Sequence, residues 1–369
     1  MSALFQRRRT LVFKTISSQK EPNTVKANIA MYPNFSTSNT PTTGFDKVAS
    51  HGGEMIEGEL KLFNWVRNFS SLAVLAAILL SIIFSNLLGS SSIGWQVTIA
   101  VIALAIGIPH GALDHLVTLP QSKPLKMAVF IVIYVAIAVV AVFAILRFNT
   151  AGFIVVVLMS AIHFGIGDAA FISEIDRRSG ASKKLPRVAY AISSGFIPVQ
   201  IPLVNSSSSE ALEKVNPAIV NWHGGIDSQL LILAIAVGVI SILTLMLKGR
   251  KREAIDIALL LTLSLVAPPL IAFAVYFGLW HAMRHTARLT LVLHSSQSAY
   301  AAGKLLRSFS TAVLPGTPAL VGTFVIAGIL AATGQDFNDD FFWMALVVVW
   351  ALTVPHMMVT ARLDRAALT

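Results

Sequence analysis

Five histidines stand inside otherwise apolar stretches of this 369-residue chain: His110, His163, His281, His285 and His356. His281 and His285 are i,i+4 neighbours and project from one helical face, the geometry with which one helix gives two ligands to a metal ion. Two ionisable side chains on one face of an apolar helix are expensive in lipid unless they have a function. Cysteine is absent, which excludes disulfides, iron–sulfur clusters and thiolate-held zinc, so a metal here needs nitrogen and oxygen ligands. Four or five neutral imidazoles suit Fe, Zn, Cu or Ni. An i,i+4 pair cannot supply the two opposite axial ligands of one haem, which counts against a b-type cytochrome.

Carboxylates accompany the histidines. In Pro109-His110-Gly111-Ala112-Leu113-Asp114-His115, Asp114 follows His110 by four residues; in His163-Phe164-Gly165-Ile166-Gly167-Asp168, Asp168 follows His163 by five. Either can accept the second N–H of a ligating imidazole, fixing its tautomer, or bind a metal directly, or simply cap and pair near an interface. His356 is open between membership of the site and a hydrogen-bonding strut between helices. Phe164, Tyr276, Phe277 and Trp280 neighbour the histidines along the chain and are candidates for substrate contact, with ordinary packing the plainer role. His51, His223 and His294 fall in a tail, a loop and a span end, where surface roles dominate. Gly111, Gly165 and Gly167 permit close helix approach.

The elements that carry these residues are transmembrane helices. Hydrophobic residues make up 55% of the chain, charged residues 12%, and mean hydropathy is +0.73, outside the range of soluble domains. Apolar stretches long enough to cross a hydrocarbon core of roughly 30 Å recur from Leu72 to Thr360, without the period-two alternation of a barrel strand. The expected fold is all-α, a polytopic helical membrane bundle of about ten spans (eight to ten), near 69–89, 93–112, 126–147, 150–172, 187–204, 229–248, 254–267, 270–293, 318–334 and 340–360. The seventh is short enough to merge with the eighth. Pro198, Pro202, Pro268 and Pro269 are expected to break or kink their helices.

The net charge of +10 comes from short basic clusters between apolar runs, which argues for topology signals and against nucleic acid. Arg177, Arg178, Lys183, Lys184 and Arg187 fall in one connection, Lys248, Arg250, Lys251 and Arg252 in another, and Arg284, Arg288, Lys304 and Arg307 around a third. Ten spans put all three on the side of the basic N-terminus, so both termini are expected to be cytoplasmic in a multi-pass cell-membrane protein. The histidine-bearing spans then all run outside to inside, and at 1.5 Å per residue the five depths differ by under roughly 10 Å. Residues 1–62 read as a disordered or targeting extension, with 63–369 the transmembrane domain. If the Arg-rich start is a transit peptide, the membrane belongs to an organelle.

The three ordered motifs, Pro109 to His115, Ala161 to Asp168 and Trp280-His281-Ala282-Met283-Arg284-His285, resemble the Brp/Blh family of β-carotene 15,15'-dioxygenases, and Thr353-Val354-Pro355-His356-Met357-Met358 resembles that family's closing helix. The likeness runs from about residue 66 to 365. It implies an Fe(2+) enzyme that splits β-carotene with O2 into two all-trans-retinal molecules, a supply for a retinal-binding rhodopsin. It also implies His110, His163, His281 and His285 as iron ligands and catalytic residues. Two other readings stay open: a histidine-box desaturase or hydroxylase, disfavoured by one HxxxH and no HxxHH box, and a metal or proton transporter using the histidines as a relay.

Overall fold

The computed structural model describes residues 44–88, 105–115, 124–205, 215–332 and 337–369, with single positions at 96, 99, 102, 103, 212 and 213. The chain divides into residues 1–49 and 50–369, and of the first unit only the helical backbone of 44–49 is described. The expected tail over residues 1–43 lies outside the described residues, and residues 50–62 belong to a helix.

Among the described residues the fold is helical, with no strand. The main helices are α1 (Gly44–Leu88), α2 (Pro124–Arg147), α3 (Asn149–Ser179), α4 (Arg187–Val204), α5 (Asp227–Leu247) and α6 (Lys251–Val266). Then come α7 (Pro269–Ala274), a π-helical segment (Val275–Ala282) and α8 (Met283–Leu289), continuous with one another, followed by α9 (His294–Ala301), α10 (Leu305–Ser310), α11 (Thr317–Ala332) and α12 (Phe337–Leu368). Among the described residues, seven stretches are long and apolar enough to cross a membrane: Met55–Phe84, α2, α3, α4, α5, Leu305–Ile326 and Trp343–Leu368. Nine of the ten expected spans coincide with helices; the remaining one, 93–112, is described only in part, and its described positions are helical.

Local chemistry explains the boundaries. Helix α3 ends at Gly180, whose left-handed backbone (φ +65°) lets its N–H cap Asp176, a conformation glycine adopts without penalty. Pro268 forces Ala267 into an extended conformation and ends α6, so the seventh and eighth spans stay separate. Pro198 and Pro202 do not break α4, which continues through both. Helix α2 has only Ala138 and Ile145 fully buried, and much of its apolar surface is exposed.

Helix α4 packs on α3 at a close crossing. A Cβ on Gly165 would lie 2.0 Å from the Ala191 carbonyl oxygen, and one on Gly195 would lie 1.9 Å from that of Ala161. Elsewhere buried charge ties the helices together. Arg67 of α1 donates to Glu253 at 2.7 Å and to Asp256 at 2.8 and 3.0 Å, both on α6. Arg284 reaches Ser70 and Tyr190 at 3.2 Å each, and Arg288 pairs with Asp364 of α12 at 2.6 Å. This corrects part of the charge reading: Arg284 and Arg288 are 1% and 0% exposed, paired inside the bundle, whereas Lys304 and Arg307 are exposed. Sequence alone cannot separate an arginine at the membrane surface from one desolvated beside a carboxylate on a distant helix.

Candidate metal centre

Each histidine comes from a different local setting. His110 lies in the 3-10 turn Ile108–Leu113, opened by Pro109. His163 is mid-way along α3, His281 near the end of the π segment, His285 in α8, and His356 in α12 directly after Pro355. All five are buried, at 6% exposure or less.

The rings converge. Ring centroids lie 5.9, 5.2 and 5.2 Å from His110 to His281, His285 and His356, and 5.2, 6.2 and 5.1 Å from His163 to the same three. His285 stands 6.1 Å from His281 and 5.3 Å from His356. An imidazole nitrogen sits about 2.0–2.1 Å from a bound first-row ion, which puts each ring centroid about 3.2 Å from it. Two rings sharing an ion would then be about 4.5 Å apart at a right angle and about 6.4 Å apart when opposite. The observed separations fall inside that interval.

The nitrogens fit the same picture. His163 Nε2, both nitrogens of His281 and of His285, and His356 Nε2 are buried with no hydrogen-bond partner. Buried polar atoms rarely lack a partner within the protein, and coordination to an ion is one reason they can do without. His110 Nδ1 bonds to the Gly107 carbonyl, and His356 Nδ1 bonds to Asp114 at 2.9 and 3.0 Å. An acceptor on Nδ1 holds the proton there and leaves Nε2 with its lone pair free for a metal. As the side chains stand, no three His, Asp or Glu side chains among the described residues form a finished metal-binding geometry. The broad terminal torsion of histidine lets rings at these separations turn their nitrogens inward.

Asp114 bonds a histidine of another helix, and Asp168 only lies near one. Asp114 reaches His356 and not His110, because the 3-10 turn has three residues per turn and puts i and i+4 on different faces. Tyr134 of α2 donates to Asp114 at 2.9 Å, giving a chain Tyr134–Asp114–His356. Asp168 lies 4.0 Å from His281 Nδ1 and accepts from the Trp280 indole N–H at 2.8 Å. Of the three glycines noted in sequence, Gly165 sits at a helix crossing, Gly167 makes room for the His281 ring, and Gly111 faces the His356 ring.

A half-open cavity of about 400 Å³ reaches the centre. His110, His163 and His356 line it together with Phe164 and Phe277. Its walls also include Phe130 and Tyr134 of α2 and Ala319 and Thr323 of α11. Phe164 stacks obliquely 4.4 Å from His281. Tyr276 and Trp280 do not line the cavity: Tyr276 packs against Phe164, and Trp280 lies under the Arg284 guanidinium at 3.4 Å. His223 and His294 stand apart from the cluster, and the His51 side chain lies outside the described ones. Sequence reasoning missed Tyr134, although it is the one hydroxyl in α2 between Lys126 and Arg147 and so had a visible signal.

The bundle and its buried cluster of imidazoles define an integral membrane protein with a polyhistidine centre open to an apolar cavity. A profile of the family described as β-carotene 15,15'-dioxygenase matches residues 101–364. The chain is 24% identical to the probable β-carotene 15,15'-dioxygenase Blh of Halobacterium salinarum over 290 residues, 71% of this chain and 82% of that protein. It is 26% identical to the β-carotene 15,15'-dioxygenase of uncultured marine bacterium 66A03 over 265 residues, 69% of this chain and 88% of that one. No solved structure matches the chain. The protein belongs to the β-carotene 15,15'-dioxygenase family, as its histidine motifs led us to expect.

Proposed function

We propose that the protein cleaves β-carotene at its central 15,15' double bond, with O2 as co-substrate and Fe(2+) held by His110, His163, His281 and His285, releasing two all-trans-retinal molecules. The observation that carries this reading is a cavity lined both by His110, His163 and His356 and by residues of the largely exposed apolar helix α2. A long hydrocarbon dissolved in lipid reaches such a site from the side, and its own apolarity delivers it. One oxygen atom ends in each aldehyde, so the reaction needs no reductant and no proton donor.

The redox chemistry that joins dioxygen to a double bond would come from the iron, to which a set of neutral imidazoles is suited. The protein's own groups supply position. Phe164 and Phe277 line the cavity and offer ring faces to a conjugated chain. The predominantly apolar lining keeps water from the reacting carbons. Gly107 and Asp114 fix the tautomers of His110 and His356, and Asp168 stands beside His281. Five imidazoles gathered in one cluster, instead of being strung across the bilayer, favour a site over a proton relay.

The test is expression in a host that accumulates β-carotene. Loss of orange colour with retinal detected by chromatography is the expected outcome; unchanged carotenoid beside folded, iron-loaded protein refutes the reading. Chelation should abolish cleavage by the purified protein and Fe(2+) should restore it. Gradient-driven flux of metal or protons without cleavage would point to the transporter instead.

A further inference from the structure

Four histidines are accounted for by the iron reading, yet five rings meet. The ring contacts have a definite order. His110, His281, His163 and His356 follow one another round a rim at 5.9, 5.2, 5.1 and 5.2 Å, closing back on His110. His285 touches all four, at 5.2, 6.1, 6.2 and 5.3 Å. The two pairs across the rim, His110 with His163 and His281 with His356, make no such contact among the described residues. Five rings thus surround one small volume, and all eight separations fall inside the interval expected for rings that share one ion.

His356 is built like a ligand and unlike a strut. A strut would spend both ring nitrogens on neighbouring helices, but His356 has only its Nδ1 engaged, by Asp114, while Nε2 is buried with no partner. Asp114 is itself held by the Tyr134 hydroxyl, so the ring's orientation is fixed from two further helical segments. A carboxylate on the far nitrogen is the arrangement by which ligating histidines are oriented and made more basic. The cavity gives a second, independent sign. It is lined by His110, His163 and His356, and by neither His281 nor His285.

We propose that His356 is a fifth ligand of the centre, positioned by Asp114 and Tyr134. This rests on the reading of the cluster as a metal centre. The consequence is directional: a molecule in the cavity meets the centre on the side lined by His110, His163 and His356, next to Phe164 and Phe277.

The experiment uses the full-length protein purified in detergent and loaded with Co(2+) or Fe(2+) alone. X-ray absorption on wild type should count five imidazoles. His356→Gly should bind Co(2+) at least tenfold more weakly, with an altered visible band, and free imidazole should restore both affinity and band; Asp114→Asn should weaken binding 10- to 100-fold while keeping five imidazoles. Four imidazoles in wild type, or a His356→Gly protein that binds Co(2+) within twofold of wild type with an unchanged band, overturns the fifth ligand and leaves the four-histidine centre standing. Wild type that holds no metal overturns the centre itself and the fifth ligand with it. The wild-type count decides even where a variant does not fold.

Discussion

Gly165→Ala tests whether the α3–α4 crossing sets the position of His163. The new Cβ would lie 2.0 Å from the Ala191 carbonyl oxygen. A carbon approaches such an oxygen to roughly 3.3 Å at closest, so the helices must part by about 1.3 Å there. No flexible side chain can yield instead, because the obstacle is backbone. Overpacking of this kind costs about 1–3 kcal/mol, which a bundle tied by several buried ion pairs survives. Two residues before the crossing lies His163, whose ring is 5.2 Å from His281. A displacement near 1 Å at reacting groups costs roughly a hundredfold in rate. The expected result is therefore a folded protein with roughly a hundredfold lower turnover, read as retinal formed per protein, and a melting temperature lowered in detergent. Gly322→Ala is the control, since a Cβ there meets nothing within 4 Å and both activity and stability should hold. Wild-type turnover in Gly165→Ala would refute the claim that this crossing fixes the centre.

Three further outcomes are expected. Ala319→Phe puts a bulky ring into the wall of the cavity and should raise KM for β-carotene at unchanged iron content; an unchanged KM would mean that substrate binds elsewhere. Arg67→Leu leaves Asp256 and Glu253 short of their shared partner and should destabilise the fold by about 3 kcal/mol, near the low end for a broken buried pair because Arg284 and Arg250 remain close; thermal unfolding in detergent reads this, and a loss below about 1 kcal/mol speaks against it. Trp280→Phe removes the N–H donor to buried Asp168 and should cost about 1–3 kcal/mol in the same assay while leaving KM unaffected, because Trp280 lies outside the cavity. A raised KM in Trp280→Phe would put that ring in the substrate path.

The helices were legible because lipid imposes a simple rule, long apolar runs with internally satisfied backbones. Arg187–Val204 matches the expected span residue for residue, and Pro268 marks the break that keeps two neighbouring spans apart. The histidines were legible too, since an ionisable group inside such a run is costly enough to stand out. What could not be read was who partners whom. Asp114 was judged by its distance from His110 along the chain, yet it serves His356, 242 positions away. Arg284 and Arg288 read as surface charge because their carboxylate partners are brought close only by the fold. Tyr134 escaped notice because a single hydroxyl in an apolar helix gains meaning only when the aspartate it holds is known.

The π segment Val275–Ala282 is the clearest case in which local irregularity and site coincide. In an α-helix four residues advance 400°, so side chains at i and i+4 drift about 40° past a full turn. Phe277, His281 and His285 would drift steadily round such a helix. A π turn is wider and takes more residues, so the step from Phe277 to His281 falls short of a full turn, while the step from His281 to His285, largely in α8, overshoots. The two deviations oppose each other, and the aromatic that lines the cavity stays on the face of both histidines. The observed contacts agree: Phe277 lies 6.0 Å from His110, and His110 lies 5.9 and 5.2 Å from His281 and His285. A helix of uniform 3.6-residue pitch would spread Phe277, His281 and His285 over about 80° of its surface, so the irregular turn keeps the cavity-lining aromatic and the histidine pair closer to one face.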